Sequence, residues 1–555
     1  MMLKITGRGI SVVTAWLLLL SVAAFAQQGA ARSSGATLTA VEQQAAARLQ
    51  IKTLREVTGA LTAKEMAGRG TGQPGADRAA QYLADRFARA GLKPGAQNGW
   101  LQPADFKVET VLSDSSFKAG DTTFKFKQDF VLAPPLPAQS VEANGNLVFV
   151  GYGVVSEELK RDDLAGIDVK GKIAVVLSGR PKGADQAAWG KAAGQQVVFG
   201  RLISKGAAGF VVIYEGPESQ PFALVAAYLS RRRVSLADAP QMPFKIPPVV
   251  LIGEGTANRI PAGQNLTLEQ LRKQAASGEF VSRDLNLPAS ISAQIKRETV
   301  KSSNVIGVLE GSDPKLKSEA VVYTAHYDAY GIDQDGTIYA GAGDNALGTA
   351  KLVAIAEVMA KMKPKPRRSV VFIALTGEEY GLLGAEYWVK NPTWPLEKVA
   401  ANVNYDGIGT DAWGPLGFLL DLGYVHSDLH ELIRDVAAAH KVTIIPDSAP
   451  EEGFFYRSDN YVFFKRGIPS LYLAGGPEGN PTETMGRAMK WLATTYHMAG
   501  DTVQPDWNWA GAQKLTAIGL ITGLRIANQD AMPAWKSDSP YNRPRGTTLP
   551  PPPRQ

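Results

Sequence analysis

One of the five histidines and several acidic residues stand at or near the ends of predicted strands, where α/β proteins bind their ligands, and a second histidine lies farther along the chain. Taken singly, each has an ordinary explanation. An aspartate before a helix can cap it, paired glutamates can occupy a first helical turn, and a lone histidine can lie at the surface. Together they form one pattern, whose members are His326, Asp328, Asp344, Glu378, Glu379, Asp406 and His497.

The types of these residues favour a zinc-dependent hydrolytic site. The chain has no cysteine, so a metal ion can be bound only by imidazole and carboxylate groups, which zinc accepts. Five such ligands suit two zinc ions about 3.5 to 4 Å apart, with one bridging carboxylate. Hydrolysis also needs a general base close to the metal. The adjacent Glu378 and Glu379 could divide these tasks, because neighbouring side chains in a turn point in different directions.

Alternating strands and helices after about residue 291 must bring these residues together. The runs "AVVYTA", "SVVFIAL" and "AANVNYDGIG" are typical of strands, and helices are predicted from Asn345 to Met362 and in "GLLGAEYWVKN". This alternation predicts an α/β fold with a mixed, mainly parallel sheet sandwiched by helices.

Composition divides the rest of the chain into further parts. Residues 27–111 are predicted to be largely helical, and residues 112–290, with short apolar runs between Gly, Pro and charged clusters, to form an inserted β-rich module. Residues 291–536 would form the catalytic domain. The Pro-rich residues 537–555 are predicted to be a disordered tail.

The first residues have the pattern of an export signal. Lys4 and Arg8 precede an apolar run that ends in "AFA", which predicts a signal peptide over residues 1–26 and a protein that is periplasmic or secreted. An uncleaved membrane anchor is the alternative, although the run is shorter than the ~20 residues that a spanning helix needs. No later segment is predicted to enter the membrane.

The overall charge argues against a nucleic-acid partner. Loss of Lys4 and Arg8 with the signal peptide lowers the formal net charge from +6 to +4, which is small for a chain of this size. A nucleic-acid binder would concentrate lysine and arginine in one patch. The only dense basic cluster is "YLSRRRVSL", which we interpret as a solvated loop.

Six motifs in order resemble one known family. "AHYDAYG", "GAGDNALGTA", "TGEEYGLLGAEY", "NYDGIG", "FYRSDNYVFFKRGIPSLYL" and "YHMAGDT" are similar to motifs of the dizinc exopeptidases that include aminopeptidase Y, aminopeptidase S and glutamate carboxypeptidase. The stretches "DVKGKIAVVLSGR" and "SKGAAGFVVIY" resemble the protease-associated domain often inserted in these enzymes. The resemblance implies a two-zinc exopeptidase that acts on peptide substrates, most simply an aminopeptidase.

The resemblance also implies a role for each candidate residue. His326 and Asp406 would bind one zinc ion, Glu379 and His497 the other, and Asp344 would bridge them. The remaining candidates would act without binding metal: Glu378 as general base, Asp328 as the residue that orients His326, and Tyr496 either as a donor to the oxyanion or as a packed aromatic side chain. The inserted module would cover one side of the cleft and limit substrate size.

Three other functions remain open at this stage. A carboxypeptidase or dipeptidase of the same family would need an arginine for the substrate α-carboxylate, and Arg457 is a candidate. Glutaminyl cyclases share the fold but use one zinc ion. Non-catalytic binding proteins such as transferrin receptors also share it, but they have lost ligands that this chain keeps. The sequence does not indicate an oligomeric state.

Overall fold

A computed structural model of the chain describes residues 37–548, except 135, 138–139, 217–220, 241–245, 262–265, 277–281 and 448–449. The predicted signal peptide (1–26) and the end of the predicted tail (549–555) lie outside the described residues. Within the described ranges, no helix combines the length and the apolar character needed to cross a bilayer.

The strands form two large sheets and several short pairs. In chain order they are β1 (Lys93–Pro94), β2 (Leu101–Val111), β3 (Ser116–Ala119), β4 (Thr122–Lys125), β5 (Phe130–Leu132), β6 (Val141–Phe149), β7 (Val155–Ser156), β8 (Arg161–Asp162), β9 (Ile173–Leu177), β10 (Gly209–Ile213), β11 (Arg233–Leu236), β12 (Val249–Ile252), β13 (Arg283–Ala293), β14 (Ile295–Leu309), β15 (Ala320–His326), β16 (Gly331–Ile332), β17 (Ile338–Tyr339), β18 (Ser369–Leu375), β19 (Val399–Asn404), β20 (Leu416–Asp421), β21 (Thr443–Pro446), β22 (Ser470–Tyr472) and β23 (Gly475–Pro477).

The α-helices lie before, between and after these strands. In chain order they are α1 (Ala40–Ala47), α2 (Ile51–Leu61), α3 (Pro74–Ala90), α4 (Gln186–Ala193), α5 (Gln195–Ser204), α6 (Phe222–Leu229), α7 (Glu254–Ala257), α8 (Leu268–Ala276), α9 (Leu347–Ala360), α10 (Leu383–Lys390), α11 (Leu429–Ala439), α12 (Asn460–Lys465), α13 (Pro481–Thr494) and α14 (Trp509–Asn528).

The sheet that carries the candidate residues, called the catalytic sheet after the predicted catalytic domain, has the strand order β11-β2-β14-β18-β15-β19-β22, with β1 paired to β14. The strands β18, β15, β19 and β22 are parallel to one another, whereas β14, β2 and β11 pair antiparallel. The predicted mixed α/β sheet is therefore confirmed, and its parallel pairings are concentrated in the half that carries the candidate residues. The carboxyl ends of β15, β18 and β19 lie side by side at one edge.

Helices cover both faces of this sheet, which explains why all seven residues of β15 are buried. Val321 and Tyr323 face one core, which also contains buried residues of α9 and α14. Val322 faces the opposite core with Trp388 of α10 and Phe463 of α12. Because successive side chains of a strand point to opposite faces, a strand buried on both sides is apolar along most of its length.

A second eight-stranded sheet, β4-β3-β13-β6-β9-β10-β12-β5, occupies most of the range predicted to be inserted. Within it β6, β9, β10 and β12 are parallel to one another. It has its own cores on either side of the strands. The range 112–290 is not wholly separate, however, because Arg233–Leu236 (β11) returns to the catalytic sheet and pairs with β2.

The last described residues pack on the catalytic domain, although we expected a disordered tail from residue 537. Arg545 donates hydrogen bonds to the backbone oxygens of Val399 and Ala400 at 2.9 and 3.1 Å. The ring of Tyr541 lies 5.2 Å from that of Phe464. Residues 537–548 are therefore ordered by these contacts, which proline content alone does not indicate.

Candidate metal centre

His326 ends β15 and lies at the carboxyl edge of the catalytic sheet. Its Nε2 atom is 3.1 Å from Oδ1 of Asp344 and 3.2 Å from Oδ1 of Asp406, which follows β19. These three residues form one group of possible metal ligands. The neighbouring parallel strands thus bring together residues that are 80 positions apart in the sequence.

His497 belongs to a second group with Asp344 and Glu379. Its Nε2 atom lies 3.3 Å from Oδ2 of Asp344 and 2.9 Å from Oε2 of Glu379. Asp344 is common to both groups and directs one oxygen to each histidine. The structure therefore brings all five predicted ligands together, with Asp344 between the two sets.

The local backbone shows that Asp344 is not a helix cap. The helix α9 begins at Leu347, and Ala346 at its start makes no side-chain cap, so Asp344 does not cap the helix. Asp344 instead lies in an irregular turn, with φ −118° and ψ 93°. Asp501 holds this turn, because its carboxylate accepts hydrogen bonds from the N–H groups of Gly343 at 2.8 Å and Asp344 at 3.0 Å.

Glu378 and Glu379 form a short 3-10 turn after β18, separate from α10, which begins at Leu383. The two side chains diverge: Glu379 joins the His497 group, whereas Oε2 of Glu378 is 3.8 Å from Nε2 of His326, farther than the carboxylates of Asp344 and Asp406. Glu378 thus lies beside the His326 group, next in the chain to a member of the His497 group, and belongs to neither, as a general base would.

Asp328 links His326 to Glu378. Its side chain is fully buried, and its Oδ1 accepts a hydrogen bond from the Glu378 N–H at 3.2 Å. Its backbone oxygen lies 3.2 Å from Nδ1 of His326, and Oδ1 is 3.7 Å from the same atom. The hydroxyl of Thr71 donates to Oδ2 at 3.1 Å. Asp328 therefore orients both the His326 ring and the backbone of Glu378.

Burial concentrates acidic charge in this site. Desolvation raises the pKa of Glu378 well above its ordinary value, and the carboxylates of Asp406 and Asp459 raise it further. Burial likewise raises the pKa of Glu379. The pKa of Asp344 is lowered despite its burial, because His326 and His497 both hydrogen-bond to it. Several buried carboxylates so close together require compensating positive charge.

The donor set fits zinc. Imidazole nitrogens and carboxylate oxygens in groups of three are ligands that zinc accepts, with positions left for water and substrate. Oε2 of Glu379 is buried and makes no hydrogen bond within the described residues, although His497 Nε2 is close. These two atoms are near each other without being aligned for a hydrogen bond, which is expected of two atoms that bind the same cation.

Tyr496 lies inside the site. Its ring stacks on that of His497 with centroids 3.5 Å apart, and the Arg457 guanidinium is 5.9 Å from its centroid. Burial raises its pKa well above the ordinary value, so its hydroxyl keeps its proton at neutral pH. Packing and proton donation, the two roles considered from sequence, are thus compatible.

Sequence reasoning missed three residues that support the site. Asp501 was quoted within the "YHMAGDT" motif without a role, and Asp459 stands in "RSDN"; both Asp459 oxygens are buried without a hydrogen-bond partner among the described residues. Arg69 is fully buried and donates to the backbone oxygens of Tyr327 at 2.5 Å and Gly341 at 2.9 Å. The motif "AGRGTG" was the only available signal for it.

The basic cluster was interpreted incorrectly. Arg231 and Arg232 do not lie in a solvated loop: Arg231 is buried against Tyr330 and Tyr339, with its guanidinium 4.2 and 4.6 Å from their centroids. Arg232 donates a hydrogen bond to the backbone oxygen of Thr71. A run of arginines suggests exposure, but flat guanidinium groups can be buried where aromatic faces and carbonyls receive them.

Comparisons with known proteins agree with this geometry. Residues 304–521 match the family model described as Peptidase family M28. The chain is 28% identical over 242 residues to a probable glutamate carboxypeptidase of Arthroderma benhamiae, and 30% identical over 187 residues to Aminopeptidase YwaD of Bacillus subtilis. These matches cover 41% and 33% of this chain. They span only 31% and 38% of the two relatives, so the likeness concerns about a third of each.

The similarity in fold covers more of the chain than the similarity in sequence does. The aminopeptidase from Aneurinibacillus sp. strain AM-1 superimposes with a TM-score of 0.55 and 18% identity, over 88% of this chain and 97% of that structure. The fold is similar to that of this aminopeptidase, and the family match and the grouped ligands agree with the metallo-exopeptidase class that the motifs indicated. The match to the model of peptidase family M28 is confined to residues 304–521.

Proposed function

We propose that the protein is an exported, zinc-dependent aminopeptidase that removes N-terminal residues from peptides. One observation carries the proposal: two sets of ligands share Asp344, and Glu378 lies beside the His326 set without joining either. The apolar character of the N-terminal segment supports export to the periplasm or the medium. The β-rich insert is proposed to be a protease-associated domain, on the strength of its motifs.

The proposed chemistry assigns each residue a task. His326 and Asp406 would hold one zinc ion, Glu379 and His497 a second, and Asp344 both. Zinc bound there would supply Lewis acidity, which polarises the scissile carbonyl and lowers the pKa of the attacking water. Glu378 would take the proton of that water and pass it to the leaving amine. Its place beside the ligand His326, without membership of either ligand group, suits that transfer.

Two further residues would help to stabilise the transition state, one directly and one through the groups that it holds. The protonated Tyr496 hydroxyl would donate a hydrogen bond to the developing oxyanion. Asp328 would keep the His326 ring and the Glu378 backbone in place, so that both groups are preorganised before substrate binds.

An apolar cavity beside the metal centre favours an aminopeptidase. It begins at Gly407, next to the ligand Asp406. Its wall is almost entirely apolar and includes Ile408, Leu420, Phe454, Met485, Ala488 and Leu492. Such a pocket would take a large apolar side chain of the N-terminal residue, whereas recognition of an α-carboxylate requires a cation.

A carboxypeptidase or dipeptidase is the second candidate, because Arg457 lies near Tyr496 and Phe454. Peptides blocked at one end distinguish the two. We expect cleavage of peptides with a free N-terminus and an amidated C-terminus, and no cleavage of N-acetylated peptides. Cleavage of the N-acetylated peptides alone would replace the aminopeptidase proposal by its rival.

Filling the apolar cavity should change substrate preference. In Ala488→Trp the indole would occupy the space of a substrate side chain, so kcat/KM for N-terminal Leu or Phe should fall roughly 10- to 100-fold, and that for N-terminal Gly or Ala much less. Met489→Trp is the matched control, since Met489 is the next residue of α13 and is exposed. Equal losses on all substrates would show that the cavity does not bind the N-terminal side chain.

A further inference from the structure

The inserted region reaches the metal centre through one short segment. Residues 230–236 follow α6 and contain β11, which lies outside the second sheet and pairs with β2 of the catalytic sheet. Arg231, Arg232 and Arg233 therefore stand at the junction of the two parts. Their side chains donate hydrogen bonds to three different backbone oxygens.

Arg231 holds the metal ligand His497 from two sides. Its guanidinium donates a hydrogen bond to the backbone oxygen of His497 and lies 4.2 Å from the ring centroid of Tyr330. The Tyr330 hydroxyl is 3.1 Å from Nδ1 of the same histidine. Arg231 thus contacts the ligand's backbone directly and its ring through Tyr330.

His497 needs such support because of its backbone. Its φ is +60°, in the left-handed region that residues other than glycine adopt only when their surroundings impose it. A buried, charged donor on the carbonyl of that residue makes a strong hydrogen bond. Removing the donor would leave the carbonyl unpaired on this side and relax the position of the imidazole.

Arg232 and Arg233 provide a comparison within the same segment. Arg232 donates a hydrogen bond to the backbone oxygen of Thr71, whose hydroxyl donates to Asp328. Arg232 therefore contacts His326 only through two intervening residues. Arg233 instead donates to the oxygen of Leu132 in the inserted sheet at 3.1 Å. Of the three, Arg231 makes the direct contact with a predicted ligand.

We propose that Arg231 is a positioning residue for His497, so that the inserted region completes the zinc site instead of only covering the cleft. The inference rests on the proposed two-zinc function. It assigns the insert an effect on metal affinity, in contrast to the expectation that the insert acts mainly on substrate size.

Zinc binding by the full-length protein tests this proposal. Bound zinc per chain is measured while a chelator of known affinity is added, for wild type and for Arg231→Gln, Arg231→Lys and Arg233→Gln. In Arg231→Gln we expect one of the two zinc ions to bind roughly 10- to 100-fold more weakly, with the other unchanged. Arg231→Lys should lose less but still measurably, because an ammonium group can donate to the same carbonyl but cannot pack flat on Tyr330 as the guanidinium does. Arg233→Gln should match wild type.

The outcomes separate this inference from the proposed function. If wild type binds two zinc ions and Arg231→Gln binds both equally tightly, the positioning role is wrong while the function stands. A wild-type protein that binds no zinc would overturn both. Equal weakening in Arg231→Gln and Arg233→Gln would indicate general destabilisation and also overturn the role. Should Arg231→Gln fail to fold, the zinc affinity of Arg231→Lys decides: wild-type affinity contradicts the proposal.

Discussion

Glu378→Gln is expected to abolish hydrolysis nearly completely while the protein still binds close to two zinc ions per chain. Glutamine has the same shape but cannot accept the proton of the attacking water. Loss of a general base costs ~10²- to 10⁴-fold in kcat. Zinc binding should persist because Oε2 of Glu378 is 3.8 Å from His326 Nε2, outside both ligand groups. Steady-state kinetics and elemental analysis of the same preparation measure both effects.

Glu379→Gln is the matched control for that experiment. Glu379 is the next residue in the same turn, and its Oε2 is directed to the His497 group. This variant should lose activity together with zinc, most of all the ion bound by His497. Full activity of Glu378→Gln would contradict its role as the base, and an equal loss of zinc in both variants would place Glu378 among the ligands.

His326→Ala and Asp328→Asn should differ in degree, although the two residues are two positions apart. Alanine removes a ligand that lies 3.1 Å from Asp344 and 3.2 Å from Asp406, so the zinc ion of that group should be lost. Asparagine keeps an oxygen that can accept the Glu378 N–H and removes only the charge behind His326. Zinc affinity or activity should then fall ~10- to 100-fold.

Metal titration of both variants at fixed chelator concentration measures this difference. Both substitutions concern buried side chains, so thermal unfolding in excess zinc serves to compare the folded fractions. Equal and complete loss of zinc in the two variants would show that Asp328 binds metal itself. Wild-type zinc content in His326→Ala would remove His326 from the ligand set.

Much of the catalytic sheet can be predicted because its signals are local. The β-branched runs before His326 and Glu378 and the turn residues after them indicate buried strands and their ends without reference to the rest of the chain. The strand β15 is buried along its whole length, as its apolar sequence requires. Since the carboxyl ends of neighbouring parallel strands meet at one edge, the order of strands and helices also indicates where ligands gather.

Other features depend on contacts that no local pattern encodes. The interpretation of "SRRRV" as a solvated loop failed because burial of Arg231 depends on Tyr330, Tyr339 and a carbonyl 266 residues away. The expected boundary of the insert at residues 112 and 290 likewise omitted the return of β11 to the catalytic sheet, because the pairing of a four-residue strand has no signature of its own.

The sequence by itself determined the residue types of the metal centre, the strands that end in them and the family they resemble. Only the tertiary structure decided how they are held. Asp344 is free to face both histidines because Asp501 binds its backbone, and His497 keeps a left-handed backbone where Arg231 binds its carbonyl. The reason is physical. Ligand identity depends on side-chain chemistry, which each residue carries alone, whereas ligand position depends on buried hydrogen bonds between segments that meet only after folding.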